Sequence, residues 1–209
     1  MTVREAIQAR RSIRHFDPAY LVSDDELRDL LAPLRHTPTS FNLQHFRVIT
    51  VRSEATKVAL AEAAYGQSQL AECSAVVVIL SKLPAHEDAA RIWEDAPERV
   101  RDGMLENIHG LYDHDDALRR DEAIRSGSLA AMALMLTAVE LGLGTSPLIG
   151  FDDARVREIL EIPADHLVVL LLCVGRIAAP PRPRVGVLAL EQLVAQERFG
   201  GPPLTSTPG

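Results

Sequence analysis

Glu122-Ala123-Ile124-Arg125-Ser126-Gly127-Ser128-Leu129-Ala130-Ala131-Met132-Ala133-Leu134-Met135-Leu136-Thr137-Ala138-Val139-Glu140-Leu141 is the stretch on which the fold turns. From Leu129 to Leu136 no polar residue interrupts it, so a helix here is apolar nearly all round and belongs at the centre of a core. Gly142 and Gly144 supply its C-terminal stop. A short extended stretch, Thr145 to Gly150, leads to a helix capped by Asp152 or Asp153, with Val156, Ile159 and Leu160 turned inward. The last core strand runs from Leu167 to Val174.

Upstream of the central helix, two capping boxes of the S/T-x-x-E type, Thr2 to Glu5 and Ser23 to Glu26, each open a helix. The first ends near Arg10. The second carries Leu27, Leu30, Leu31 and Leu34 on one face and ends around Pro33 and Pro38. Between them Arg10 to Pro18 is expected to be extended, because a proline disfavours helix at the residue before it. A strand follows from Phe46 to Arg52, then a Ser53-capped helix to about Ala64, then a strand from Ala75 to Leu80. That second strand is apolar on both faces, which places it inside a covered sheet. Residues 84–120 are polar and weakly striped and read as one or two surface helices. The chain turns proline-rich at Pro180, Pro181 and Pro183 and ends in a tail with no core of its own, either disordered or draped over a second subunit. The expected class is α+β, a small central sheet covered by helices on both sides. One domain spans 1–209, with a variable helical excursion at 84–125 and a flexible tail at 200–209.

Length and composition bound the function. The 209 residues allow one domain or two small ones, and 47% hydrophobic with 24% charged residues is the balance of a soluble globular chain. The longest apolar runs are about eight residues, against the ~20 that span a bilayer, so no membrane segment is expected. A formal net charge of -7 argues against bulk nucleic-acid binding. The N-terminus has no signal-peptide core, and Cys73 and Cys173 both lie beside Val/Ile/Leu-rich runs. Two buried reduced thiols in a cytoplasmic protein are therefore expected. CxxC, HExxH, GxGxxG and GxxxxGK[ST] are all missing, so no metal site, Rossmann fingerprint or P-loop is supported.

Three polar clusters can carry chemistry. Arg10, Arg11, Ser12 and Arg14 place three guanidiniums and a hydroxyl within five residues of a helix end. They suit a phosphate dianion through charge-assisted hydrogen bonds, or they complement the negative end of the first helix dipole. Thr37-Pro38-Thr39-Ser40-Phe41-Asn42-Leu43-Gln44 offers donors and acceptors to a ligand with a matching polar edge, or is a polar turn before a strand. Arg182-Pro183-Arg184 suits a phosphate or is a solvated linker. Together they suit a ligand with a phosphate at one end and a heteroaromatic ring at the other.

In order along the chain, Arg10-Arg11-Ser12-Ile13-Arg14-His15-Phe16, the Thr37 to Gln44 run, Leu141-Gly142-Leu143-Gly144-Thr145, Pro147-Leu148-Ile149-Gly150-Phe151-Asp152 and Ile162-Pro163 resemble the nitroreductase family of FMN-dependent oxidoreductases. The resemblance covers nearly the whole chain except 84–125 and the tail. It implies that Arg10, Ser12 and Arg14, with Arg11 close by, bind the FMN phosphate and the pyrimidine side of the flavin. Pro38, Thr39, Ser40, Asn42 and Gln44 would come from the other subunit of a homodimer to the same flavin. Gln67 resembles a further ring contact. Pro147, Leu148, Ile149 and Gly150 would lie along the ring through backbone groups, and Arg182 and Arg184 would return to the phosphate.

The function so implied is ping-pong electron transfer from NADH or NADPH, through FMN, to small acceptors such as nitroaromatics or quinones. The flavin carries the chemistry, so no catalytic side chain is expected. Departures from the family pattern are His45 in place of the usual proline, Ile149 where some members have glutamate, Gly127-Ser128-Leu129 in place of Asn-Leu, and Arg176 after Gly175 in place of an aromatic or proline. His45 and Gly127-Ser128 motivate an alternative, a flavin-binding or flavin-processing protein of the same fold without general reductase turnover. Trp93, His109 and Tyr112 of the excursion read as ordinary packing or surface.

Overall fold

The computed structural model describes residues 1–204. Its α-helices are α1 (Val3–Ala9), α2 (Asp24–Leu31), α3 (Glu54–Ala63), α4 (Gln69–Glu72), α5 (Ala89–Ile92), α6 (Glu98–Tyr112), α7 (Asp116–Glu140), α8 (Asp153–Leu160) and α9 (Leu190–Leu193). Its strands are β1 (Phe46–Val51), β2 (Ala75–Lys82), β3 (Gly144–Leu148) and β4 (His166–Gly175). The sheet order is β1-β2-β4-β3, each neighbouring pair antiparallel.

Side-chain alternation divides the sheet into two faces. Val76, Val78, Leu80, Leu171 and Cys173 point to one side, against α3, α4 and α8. Ala75, Val77, Ile79, Leu170, Leu172 and Val174 point to the other, against α2 and α7. β2 and β4 are buried on both faces, as the apolar run of β2 requires, and they occupy the two central positions. Full burial of each such Val, Leu or Ile contributes about 1.5–3 kcal/mol. The architecture is thus the α+β sandwich expected from the sequence, with helices on both sides of a small sheet.

Both capping boxes form: Thr2 and Ser23 accept from the backbone N–H of Glu5 and Glu26, whose carboxylates accept in return. Ser53 and Asp152 cap α3 and α8. Cys73 and Cys173 are buried and free, and burial pushes the Cys173 thiol well up. Lys57 is buried too, its Nζ donating to the carbonyl of Ala71 at 3.2 Å and to that of Cys73 just after α4.

Two expectations need correction. α7 starts at Asp116, capped by Asp115, six residues before the apolar pattern begins, and it is not buried all round. Ala123, Gly127, Ala130, Ala131, Leu134 and Ala138 face the core, while Leu129 is half exposed and Met132, Ala133 and Leu136 are partly covered. By length and composition α7 is also the one helix among the described residues able to cross a membrane; here one face is packed on the sheet. The excursion, in turn, is more than a surface feature. Ala85, Ala89, Ile108 and Tyr112 are buried with Leu43 in a third small core, joined by Phe41, Ile92 and Trp93. Of the tail expected at 200–209, residues 205–209 lie outside the described residues; at its start Gln196 N–H donates to the Pro202 carbonyl.

Candidate functional site

α1 ends at Arg10, whose backbone leaves the helical region, and the chain continues extended as expected. Ile13 N–H donates to the Thr145 carbonyl (2.9 Å) and Ser12 bridges Thr145 in parallel, so the segment adds to the free edge of β3. On its other side Asp17 N–H donates to Arg176 and Ala178 N–H to His15. Ile13 and Phe16 are buried, which turns Ser12, Arg14 and His15 outward. These three line a cleft of about 60 Å³ with Ala179, Pro180, Pro181 and Arg182. The N-terminal and C-terminal basic clusters are therefore one place in the fold.

The arginines divide by role. Arg184 donates to the carbonyls of Gln8 and Arg10, both at 2.9 Å, satisfying groups at the C-terminal end of α1. Arg11 donates to the Arg182 carbonyl. These two guanidiniums fasten the tail to the first helix. Among the described residues Arg10, Arg14 and Arg182 have no ion-pair partner. The helix-dipole role is thus filled from the tail by Arg184, and within the first cluster Arg11 is engaged with the tail while Arg10 and Arg14 are not ion-paired among the described residues.

Pro147 and Leu148 belong to β3, paired with Leu172 and Leu171, and Ile149 and Gly150 continue exposed beyond it. They stand on the strand that holds Ser12, a few residues along. Two residues after Gly150, Asp152 N–H donates to the Ala63 carbonyl at the end of α3 (2.8 Å). Gln67 lies half-buried just past the left-handed turn at Tyr65 and Gly66, its Oε1 accepting from Gln69 Nε2.

The Thr37 to Gln44 loop stands elsewhere. It leads into β1, on the opposite edge of the sheet from Ser12, and it leaves at the opposite end. Phe46 aligns through Ser81 with Leu167, whereas Ser12 aligns through Thr145 with Val174. Four strand spacings of about 4.8 Å and seven residues of about 3.4 Å put the two clusters roughly 30 Å apart within one chain. One flavin nucleotide cannot span them.

The loop is tightly held. Phe41, Asn42 and Gln44 all have left-handed φ (49°, 57° and 47°), a region that costs non-glycine residues ~1–2 kcal/mol each. Gln44 N–H donates to Thr39 Oγ1 (3.0 Å), and Arg47 Nη1 donates to the Gln44 carbonyl (2.7 Å). From the excursion, Tyr112 Oη donates to Ser40 Oγ (2.7 Å) and Trp93 Nε1 to the Phe41 carbonyl (3.1 Å). His45, buried, is hydrogen-bonded through Nδ1 to Ser126 Oγ of α7 at 3.1 Å. Burial holds the His45 imidazole down at about 4, so it is neutral near pH 7. A cleft of about 530 Å³ opens beside the loop, lined by Leu43, Gln44, Arg47, Arg91, Ile92 and Glu94. The two aromatic donors have no signal in the sequence as loop partners, because their contacts join residues 52 and 72 positions apart.

A sequence model of the nitroreductase family matches residues 7–176. Protein DrgA of Synechocystis is 33% identical over 177 residues, 84% of either chain. MhqN of Bacillus subtilis, named as an NAD(P)H nitroreductase, is 33% identical over 81% of this chain and 86% of its own. Among solved structures, Bacillus subtilis YdfN, described as a nitroreductase, superposes with a TM-score of 0.88 at 31% identity, covering 91% of this chain and 96% of that one. A nitroreductase by description from Exiguobacterium sibiricum, in complex with FMN, gives 0.87 at 27% identity over 94% and 98%. Agreement of sequence along most of the chain with agreement of fold along more than nine-tenths of it leaves one reading: this chain belongs to the nitroreductase family.

Proposed function

We propose that this protein is an FMN-dependent oxidoreductase that takes electrons from NADH or NADPH and passes them to a small organic acceptor such as a quinone or nitroaromatic. The observation that carries the reading is the merging of the two basic clusters into one cleft, with Ser12, Arg14 and Arg182 on its wall and no carboxylate among its lining residues. That donor set fits a phosphate dianion, each charge-assisted bond contributing about 1.5–3 kcal/mol. Arg10, Ser12, Arg14 and Arg182 would hold the FMN phosphate, with Arg11 and Arg184 fixing the tail that carries Arg182. Pro147 to Gly150, on and just beyond the strand that pairs with Ser12, would present backbone groups to the ring, and Gln67 an amide.

The remaining ring contacts, from Pro38, Thr39, Ser40, Asn42 and Gln44, would come from a second copy, because roughly 30 Å separates them from the cleft of their own chain. The half-exposed Leu129 side of α7 is the surface such a homodimer would cover. When bound, FMN supplies reversible two-electron chemistry between a reduced nicotinamide and the acceptor. The side chains named here bind, orient and neutralise charge, and no acid or base is assigned among them. The names of MhqN and of the FMN-bound neighbour support the same reading.

Absorbance of the purified protein, titration with FMN, and oxidation of NADH and NADPH with a quinone test it. The expected outcome is a stoichiometric yellow complex with ping-pong turnover, and an Arg14→Ala variant that no longer retains FMN. A protein that neither binds FMN nor oxidises either nicotinamide would refute the proposal. Binding without turnover would leave only the flavin-binding alternative.

A further inference from the structure

The excursion between β2 and α7 grips the Ser40 to Gln44 loop, which bears three left-handed non-glycine residues within four positions. Such a backbone persists only where its surroundings over-determine it. Two of the groups that do so here are aromatic donors: Tyr112 Oη on Ser40 Oγ at 2.7 Å and Trp93 Nε1 on the Phe41 carbonyl at 3.1 Å. Both rings are packed in the third core with Leu43 and Ile108, and Phe41 meets Tyr112 edge-on at 6.3 Å. Neither aromatic lines the cleft around Ser12 and Arg14.

We infer that Tyr112 and Trp93 are positioning residues for flavin binding, setting the Ser40 hydroxyl and the Asn42–Gln44 amides at the angle the ring requires. The inference rests on the proposed two-copy flavin site and adds to it a direction: each excursion serves the flavin whose phosphate is held by the other copy. Anchoring the loop by its hydroxyl and carbonyl leaves the exposed Asn42 side chain for a ligand, while Gln44 Nε2 donates to the Asn42 carbonyl at 3.3 Å and keeps its amide oxygen for one. An ordinary packing role would require only the rings, not their polar hydrogens.

Tyr112→Phe and Trp93→Phe each keep a ring in the core and delete the donor. Each is expected to weaken FMN binding about tenfold, the effect of one lost net hydrogen bond, with the melting temperature of the flavin-free protein little changed. The double variant is expected to lose FMN on gel filtration. Mixed dimers give the decisive readout. A dimer pairing an Arg14→Ala copy with a Tyr112→Phe/Trp93→Phe copy carries both defects in one pocket and none in the other, so it should retain one FMN. Were the aromatics to act on their own copy's flavin, or merely to stabilise the fold, both pockets would stay impaired and the mixed dimer would hold none. Single-variant affinities within twofold of the parent would also overturn the inference. A parent protein that binds no FMN would instead remove the functional reading beneath it.

Discussion

His45 shows what one residue can do to the behaviour of the whole chain. It stands where the family resemblance leads one to expect proline, and its ring is buried against Ser126, with Glu122, Arg47 and His86 as its charged or titratable neighbours. Its folded value of about 4 lies below the ordinary 6.5, chiefly through desolvation, so the unfolded chain binds the proton more readily. Stability from this group is complete above about pH 6.5, declines by about 1.4 kcal/mol per pH unit as pH falls toward 4, and levels off below that. His86, also pushed down by burial, adds in the same direction. A His45→Gln variant should flatten the slope of unfolding free energy between pH 4 and 6.5, measured by urea denaturation. An unchanged slope would mean that the ring is not buried in its neutral form. At this scale legibility was mixed. Arg14, Ser12 and Arg182 could be singled out because cations and hydroxyls recur within a few positions. Arg184 reads from the sequence only as a partner of Arg182 at the phosphate, and its bonds to the Gln8 and Arg10 carbonyls, 176 and 174 residues away, have no local signal.

Among the elements, α7 and the sheet are joined through Gly127. A Cβ there would meet Val169 Cγ2 at 2.6 Å and Ser81 Oγ at 3.0 Å. Alanine is normally the better helix residue by about 1 kcal/mol, but overpacking against a stiff β-branched side chain outweighs that gain. Gly127→Ala is therefore expected to destabilise by about 1–3 kcal/mol in thermal or urea unfolding, and a stabilised variant would contradict the packing described. Elements with a strong local signal were legible: both capping boxes, the Ser53 and Asp152 caps, and β2 with its two apolar faces. The first turns of α7 were not, because Asp116 to Asp121 carry no apolar stripe and their helicity follows from the Asp115 cap and the helix that continues them. The buried face of the excursion has no clear signal for a related reason. Its apolar contacts are with Leu43 and Phe41 of a distant loop, and a stripe so sparse looks solvated until that partner is present.

Across the whole molecule, one chain holds the two clusters proposed to grip the flavin at diagonally opposite corners of its sheet. The sequence could supply the inventory of both halves but not their separation, which depends on the strand order β1-β2-β4-β3. It could also mark α7 as apolar nearly all round without saying that a single copy buries one face fully and leaves Leu129 on the other half exposed. Both observations fit the homodimer proposed above. Binding to the assembled state stabilises it by mass action, so dilution of the protein should release FMN and dissociate the dimer together.

Native mass spectrometry of the FMN-loaded protein addresses this most directly. The account predicts ions of two chains carrying two FMN, with dissociated single chains appearing only without flavin. A single chain that carries FMN at full occupancy would contradict it.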